Sequence, residues 1–169
     1  YKVTGTLYQK VTDKDGKVTK KKLTVDGKDV TAETEFTAET SDGDATVTFK
    51  FDASGIKDKT PLVAFESLSY KDKELCAHAD IEDEGQTVTV TKPEVGTTAT
   101  DGFDGDKNVV ADTDVNVVDT VHYKNLTPGK TYKVSGTLYE KVKGKDGKVA
   151  EKKFTVNGKD VTAETGFTA

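Results

Sequence analysis

The chain has no arginine, no methionine and no tryptophan, and it holds a single cysteine and three prolines in 169 residues. Each absence excludes something. All 25 basic residues are lysines, so the planar guanidinium fork best suited to phosphate and base-edge contacts is missing. Against 30 acidic residues they leave a formal charge of −5, which makes nucleic acid and anionic membrane surfaces poor partners. Cys76 has no second cysteine to pair with, so an extracellular form must be stabilised by something other than disulfides. No apolar run approaches the roughly 18–20 residues of a transmembrane helix, and no membrane insertion is expected in this segment.

What is present is a β-protein's composition: 27 Thr and 21 Val, against nine Leu and Ile together. β-branched residues suit a pleated, half-buried surface. Residues 1–38 also return at 132–169, agreeing at 29 of 38 positions without a gap, which sets a repeat period of 131 residues. That is the length of one domain. The chain begins and ends at arbitrary points of the period, so it is expected to be a window on a longer tandem array.

Period-two alternation dominates and helical spacing is hard to find, so the fold class predicted is all-β. Tyr1, Val3 and Leu7 share one face of a first strand, and Tyr132, Val134 and Leu138 repeat it. Further strands are predicted at 45–52, 62–68, 86–91, 95–100 and 114–123. The Lys-Asp-Gly-Lys stretches at 14–17 and 145–148 read as hairpin turns, because Asp-Gly supplies the positive φ a tight connection needs. Segments 41–44, 102–107 and 127–130 read as the loops between strands. Many short strands with regular turns point to an antiparallel immunoglobulin-like β-sandwich. Pro93 follows the 86–91 strand and makes 91–94 the expected seam between successive domains.

The loop Asp101-Gly-Phe-Asp-Gly-Asp-Lys107 invites a calcium reading, but its spacing is not that of an EF-hand and no glutamate closes it. A solvated acidic loop is favoured, and no metal or cofactor is expected.

The anomaly in the pattern is a set of polar side chains whose strand parity groups them with apolar ones. Asp119 shares a face with Val115, Val117, Val121 and Tyr123; Glu66 with Leu62, Ala64 and Leu68; Gln86 with Val88 and Val90; Thr97 with Val95 and Ala99. Buried polar groups need partners. Any one of these has a bland explanation, since an inward Thr usually bonds to backbone and an inward Asp often caps a turn. Four together weaken that explanation; chemistry would need a nucleophile, a base to activate it and an acid to polarise the group attacked, roles that Thr97, His78 and a Glu66/Asp119 pair could fill. Two carboxyls close together in an apolar interior would share a proton. The parity of His78, opposite Leu75, Ala77 and Ile81, does not argue for its burial.

These residues resemble the intramolecular Thr–Gln ester-bond domains, or VaFE repeats, of Gram-positive surface adhesins. Val63-Ala64-Phe65-Glu66 matches the VaFE signature, and His78-Ala79-Asp80 with Gln86-Thr87 is similar to the family's closing segment. Gly96-Thr97-Thr98-Ala99 resembles its opening strand, and Asp119-Thr120-Val121-His122-Tyr123-Lys124-Asn125-Leu126 its D-T-V-x-Y-x-N-L strand. The resemblance implies that the Thr97 hydroxyl attacks the Gln86 amide, ammonia leaves, and an ester joins first and last strands. It also implies His78 as base, in a buried position, and Glu66 and Asp119 as a proton-sharing pair that polarises the Gln86 carbonyl. Thr98 is the adjacent competitor, but parity favours Thr97.

The order of motifs departs from the family, because Glu66, His78 and Gln86 precede Thr97 and Asp119. Residues 1–92 therefore read as the C-terminal portion of one repeat and 93–169 as the N-terminal portion of the next. The expected role is a structural stalk of a cell-wall-anchored surface adhesin, making a single-turnover cross-link and not acting as an enzyme. Its expected partners are neighbouring identical repeats or chains, head to tail. The alternative, an adhesive module for a host protein or glycan, predicts aromatic clusters on loops, and these loops offer little beyond Phe103. A glycosidase built on Glu66 and Asp119 lacks aromatic platforms for sugar, tryptophan being absent.

Overall fold

The structure, a computed structural model, describes residues 1–144 and 146–169. Lys145, the first residue of the second turn named above, lies outside the described residues. The fold is all-β and its strand pairs are antiparallel, as the alternation required; among the described residues there is no α-helix. The chain divides into two compact units, Tyr1–Lys92 and Pro93–Ala169.

The first unit is built on two long strands, β1 (Lys2–Thr12) and β6 (Thr60–Tyr70), paired from Lys2↔Ser69 to Gln9↔Leu62. The outer edge of β1 is shared by β2 (Val18–Lys22), opposite residues 8–12, and β5 (Thr31–Glu35), opposite residues 2–6. Between them in the chain lies a small ladder, β3 (Thr24–Val25) with β4 (Lys28–Asp29), whose Val25 packs against the core. The outer edge of β6 is likewise shared by β7 (Lys73–His78) and β8 (Thr87–Val90). Gly16, at φ 79°, closes the β1–β2 connection, where the Asp13 carboxylate accepts from the backbone N–H groups of Asp15 and Lys17.

Leu7, Leu23, Val30, Ile56 and Leu62 form the core, with Val25, Phe49, Phe51, Ala53, Ala64 and Val90 packed against it. Each fully buried leucine contributes roughly 1.5–3 kcal/mol by leaving water. Leu62 and Val63 are successive and both buried, so β6 is covered on both faces, in keeping with its unbroken apolar run. The predicted strand over 45–52 is not one, because residues 45–52 have no ladder partner. Its alternation still reports the facing correctly, with Phe49 and Phe51 turned to the core. Phe49 lies directly over Gly5, where a Cβ would fall 2.5 Å from the ring.

The second unit consists of four separate two-stranded ladders. β9 (Glu94–Asp101) pairs with β10 (Val117–Lys124), β11 (Thr131–Thr137) with β16 (Thr162–Thr168), β12 (Tyr139–Lys143) with β13 (Val149–Lys153), and β14 (Thr155–Val156) with β15 (Lys159–Asp160). None of its described hydrophobic residues is buried. The duplicated segment thus appears in two environments. Leu23 is 1% exposed in the first copy, whereas Phe154, its counterpart, is 42% exposed in the second.

Candidate functional site

The divided outer edge of β6 makes the site. β7 pairs with β6 down to Glu66↔His78, and β8 resumes at Val63↔Thr87. Between these points the chain leaves the sheet through residues 79–86 and returns by a 3-10 turn, Glu84–Gln86. The sequence expectation of a strand from residue 86 is corrected by one residue: Gln86 ends the turn, and β8 begins at Thr87. Its half-buried position therefore comes from the turn and not from parity with Val88, which is itself exposed.

The Gln86 side chain fills the gap. Its Nε2 donates to Glu66 Oε2 at 3.0 Å and to the backbone carbonyl of His78 at 3.2 Å. A backbone carbonyl only accepts, so the amide nitrogen and not the oxygen must face these partners. Gln86 Oε1 is buried and has no hydrogen-bond partner among the described residues. A buried acceptor left this way is uncommon in a folded protein and asks for a reason.

His78 stands opposite Glu66 across the ladder, so the two side chains project to the same face. The buried position implied for it by resemblance is not found; its side chain is 63% exposed. The cause is that β7 is an edge strand with every residue exposed. His78 Nε2 lies 3.0 Å from Asp83 Oδ2. Asp83 also caps the 3-10 turn, its Oδ1 accepting from Gly85 N at 2.7 Å, while its backbone carbonyl accepts from Thr87 Oγ1 at 2.7 Å. One carboxylate thus fixes both the imidazole and the turn that carries Gln86. The sequence reading missed Asp83. The signal was weak: Asp80, Glu82, Asp83 and Glu84 crowd the same loop, and outside a strand parity cannot choose among them. Lys10 anchors that loop to β1 through Glu82 at 2.8 Å.

In the second unit Thr97 lies opposite Val121 and Asp119 opposite Ala99. Opposed residues project to one side, so Thr97, Ala99, Asp119 and Val121 share a face with Val95 and Tyr123. Thr98, opposite Thr120, projects from the other face. The parity grouping made from sequence holds, but burial does not follow: Thr97 and Asp119 are exposed, and Val95 is 72% exposed. Among the described residues this face is covered at one end only, where Phe167 of β16 stacks on Tyr123 with ring centroids 5.1 Å apart; around Thr97 it is exposed. The structure thus brings Glu66, His78 and Gln86 together in the first unit, and Thr97 with Asp119 in the second.

Asp101, Asp104 and Asp106 gather their oxygens within 4.8 Å. They serve the loop's own turns, accepting from the backbone N–H groups of Phe103, Asp106 and Asn108 respectively. Donation from the Asn108 side chain and backbone holds the Asp106 carboxyl below the usual range.

Chemically, the first unit presents an amide whose nitrogen is held by two acceptors and whose carbonyl oxygen has no partner among the described residues, beside an imidazole fixed by a carboxylate. The second presents an exposed hydroxyl and carboxylate on a largely apolar face that Phe167 covers only at Tyr123. No curated protein and no solved structure matches the chain. The family model for a T-Q ester bond containing domain matches residues 1–90 and again residues 93–169. With both units matched, the chain belongs to the T-Q ester bond containing domain family.

Proposed function

We propose that the chain is part of the stalk of a bacterial surface adhesin, built from immunoglobulin-like sandwiches each locked by a Thr–Gln ester. Tyr1–Lys92 supplies the C-terminal portion of one repeat, with acceptor Gln86, and Pro93–Ala169 the N-terminal portion of the next, with nucleophile Thr97. Each completes its sandwich with a neighbouring repeat or chain, head to tail. The observation that carries this reading is the Gln86 side chain, whose amide nitrogen is pinned by Glu66 and the His78 carbonyl while Oε1 stays unengaged. The bare apolar face around Thr97 supports it, since a half-sandwich is expected to show its inner face.

In the reaction the Thr97 type of hydroxyl attacks Cδ of the Gln86 type of amide. The imidazole of His78, fixed by Asp83, takes the hydroxyl proton. The Cδ–Nε2 bond breaks, the nitrogen receives that proton, and ammonia leaves. Glu66 sits at the departing nitrogen, not at the carbonyl oxygen, so its place in this unit is with the leaving group. Asp119, two positions along the paired strand from the residue opposite Thr97, arrives with the nucleophile and is the carboxyl available to the carbonyl side.

Closing one apolar face on the other excludes water, without which a weak hydroxyl would lose to solvent and the ester would hydrolyse. It also fixes hydroxyl and amide in one geometry, making the step effectively unimolecular. The product remains in place, so the protein turns over once and is no enzyme in the cyclic sense. The cross-link restricts the unfolded chain as a disulfide does, by roughly 2–4 kcal/mol. An extracellular, cell-wall-anchored location fits a single-cysteine protein that needs covalent bracing.

Intact-mass spectrometry of a complete repeat tests this. One ammonia is lost per closed domain, Thr97→Ala or Gln86→Ala abolishes the loss, and Thr98→Ala, on the opposite face, leaves it intact. A folded, complete repeat at its unreacted mass would end the proposal.

A further inference from the structure

The duplicated segment is folded the same way twice and covered only once. In the first unit residues 2–6 pair with 31–35 and residues 8–12 with 18–22. In the second, 133–137 pair with 162–166 and 139–143 with 149–153, the same register displaced by the repeat period. The crossing backbone bonds are reproduced too: Leu7 N to Val30 O and Leu23 N to Leu7 O recur as Leu138 N to Val161 O and Phe154 N to Leu138 O. What differs is the edge. Residues 2–9 pair with β6, from Lys2↔Ser69 to Gln9↔Leu62, whereas the equivalent edge, 133–140, has no ladder partner among the described residues. Tyr8 packs on Phe65 of β6 with ring centroids 4.6 Å apart, while its counterpart Tyr139 is exposed.

We propose that the second copy of the segment, 132–169, displaces residues 1–38 from β6 of another copy of this chain, so that chains join by exchange of the repeated segment. The first unit shows what covers this edge, since its own copy lies against residues 62–69 in a defined antiparallel register. The segment is preorganised, with both of its internal ladders formed, so docking needs little further ordering. Exchange of an equivalent element between copies is the economical route to association, and sequence near-identity makes the two arrangements close in energy. One difference favours the resident copy. Lys20 lies over the rings of Tyr8 and Phe65, 5.3 and 4.6 Å from their centroids, and Glu151 occupies its place in the second copy. Exchange is therefore transient until something fixes it. The inference rests on the proposed ester in one respect: exchange delivers Thr97, on the strand pair that precedes the incoming segment, to the repeat holding Gln86, and ester formation with loss of ammonia makes the exchange permanent.

The test separates exchange from the ester. Thr4 and Ser67 face each other across the β1–β6 ladder with hydroxyls 3.3 Å apart, so the incoming residue at that place is Ser135. Two chains of residues 1–169, one carrying Ser135→Cys and the other Ser67→Cys, both in a Cys76→Ala, Thr97→Ala background, are mixed and oxidised. A disulfide-linked heterodimer is expected, formed at least about tenfold faster than with Ser69→Cys, two residues out of register. Glu151→Lys, which restores the cation over the rings, is expected to accelerate trapping further. Equal trapping in and out of register, or none, overturns the exchange even if ester-linked ladders form in chains that retain Thr97. A pinned chain, Thr4→Cys with Ser67→Cys and Cys76→Ala but Thr97 retained, provides the second measurement. Its covalent ladder is lost when oxidised and returns on reduction; a ladder unaffected by the pin overturns exchange as its route. Trapping without any ladder in the reduced chain sustains exchange and fails the ester alone.

Discussion

Gln86 meets Glu66 through its amide nitrogen, Nε2 donating to Oε2 at 3.0 Å, which puts a carboxylate on the atom that would depart in the proposed ester formation. The expected consequence is a strong effect of charge with little effect of shape. Glu66→Gln keeps an acceptor oxygen for Nε2 but removes the charge, and ester formation in a complete repeat is expected to slow by about 10²- to 10⁴-fold, the usual range for one proton-handling group. The time course of ammonia loss by mass spectrometry measures it. An unchanged rate in a folded variant would assign Glu66 to packing.

Asp83 performs two tasks that different substitutions separate. Asp83→Asn retains an oxygen for Gly85 N, since Asn caps as well as Asp does, but removes the charge beside His78 Nε2. Its ester yield is expected to fall with thermal stability nearly unchanged. Asp83→Ala removes both functions, and the lost cap is expected to cost about 1 kcal/mol in addition. Parallel unfolding and mass measurements distinguish the two; equal loss of stability in both variants would mean that the His78 contact, not the cap, holds the turn.

The duplicated segment offers an internal control for burial. Leu23→Ala removes a fully buried side chain and is expected to destabilise the first unit by about 2–5 kcal/mol. Phe154→Ala, at the matching position, is expected to stay within about 1 kcal/mol of neutral because that ring is not buried. Hydrogen exchange at the amides of Leu7 and Leu138, each bonded to the matching carbonyl 3.0 Å away, reads the two units separately. Comparable protection losses would show that the second copy also has a core in solution.

Glycine gives the same contrast in reverse. A Cβ at Gly5 would lie 2.5 Å from the Phe49 ring, whereas one at Gly136 meets nothing within 4 Å. Gly5→Ala is expected to destabilise by about 1–3 kcal/mol through forced repacking, and Gly136→Ala to be neutral or slightly stabilising. Urea denaturation of the two single variants decides it, and a harmless Gly5→Ala would show that Phe49 moves aside.

What could be read from the sequence was facing, and what could not was coverage. Alternation placed Thr97 and Asp119 on one side with Val95 and Val121, and the β9–β10 register agrees. It could not say whether anything lies over that side, because burial depends on elements that period-two spacing does not describe. The same limit explains residues 45–52: Phe49 and Phe51 alternate because they face the core, yet among the described residues that backbone joins no ladder. Gln86 was identified through the resemblance and a parity argument, but its place is set by the turn that Asp83 caps. Asp83 went unseen because it acts from a loop, where neither alternation nor spacing singles out one acid among four.

The break in the outer edge of β6 also has a mechanical meaning. Load passing along the chain from Pro93 toward the first unit meets Lys92 first and then β8, held to Thr60–Val63 by backbone bonds. With Gln86 esterified, tension that strips β8 from the sheet ends at the covalent anchor, and only the six residues Thr87–Lys92 can pay out. At about 3.3–3.6 Å per residue the released segment is roughly 20 Å long. The stalk proposed above would give by a short fixed step per repeat and then stiffen, its long strands shielded from the pull.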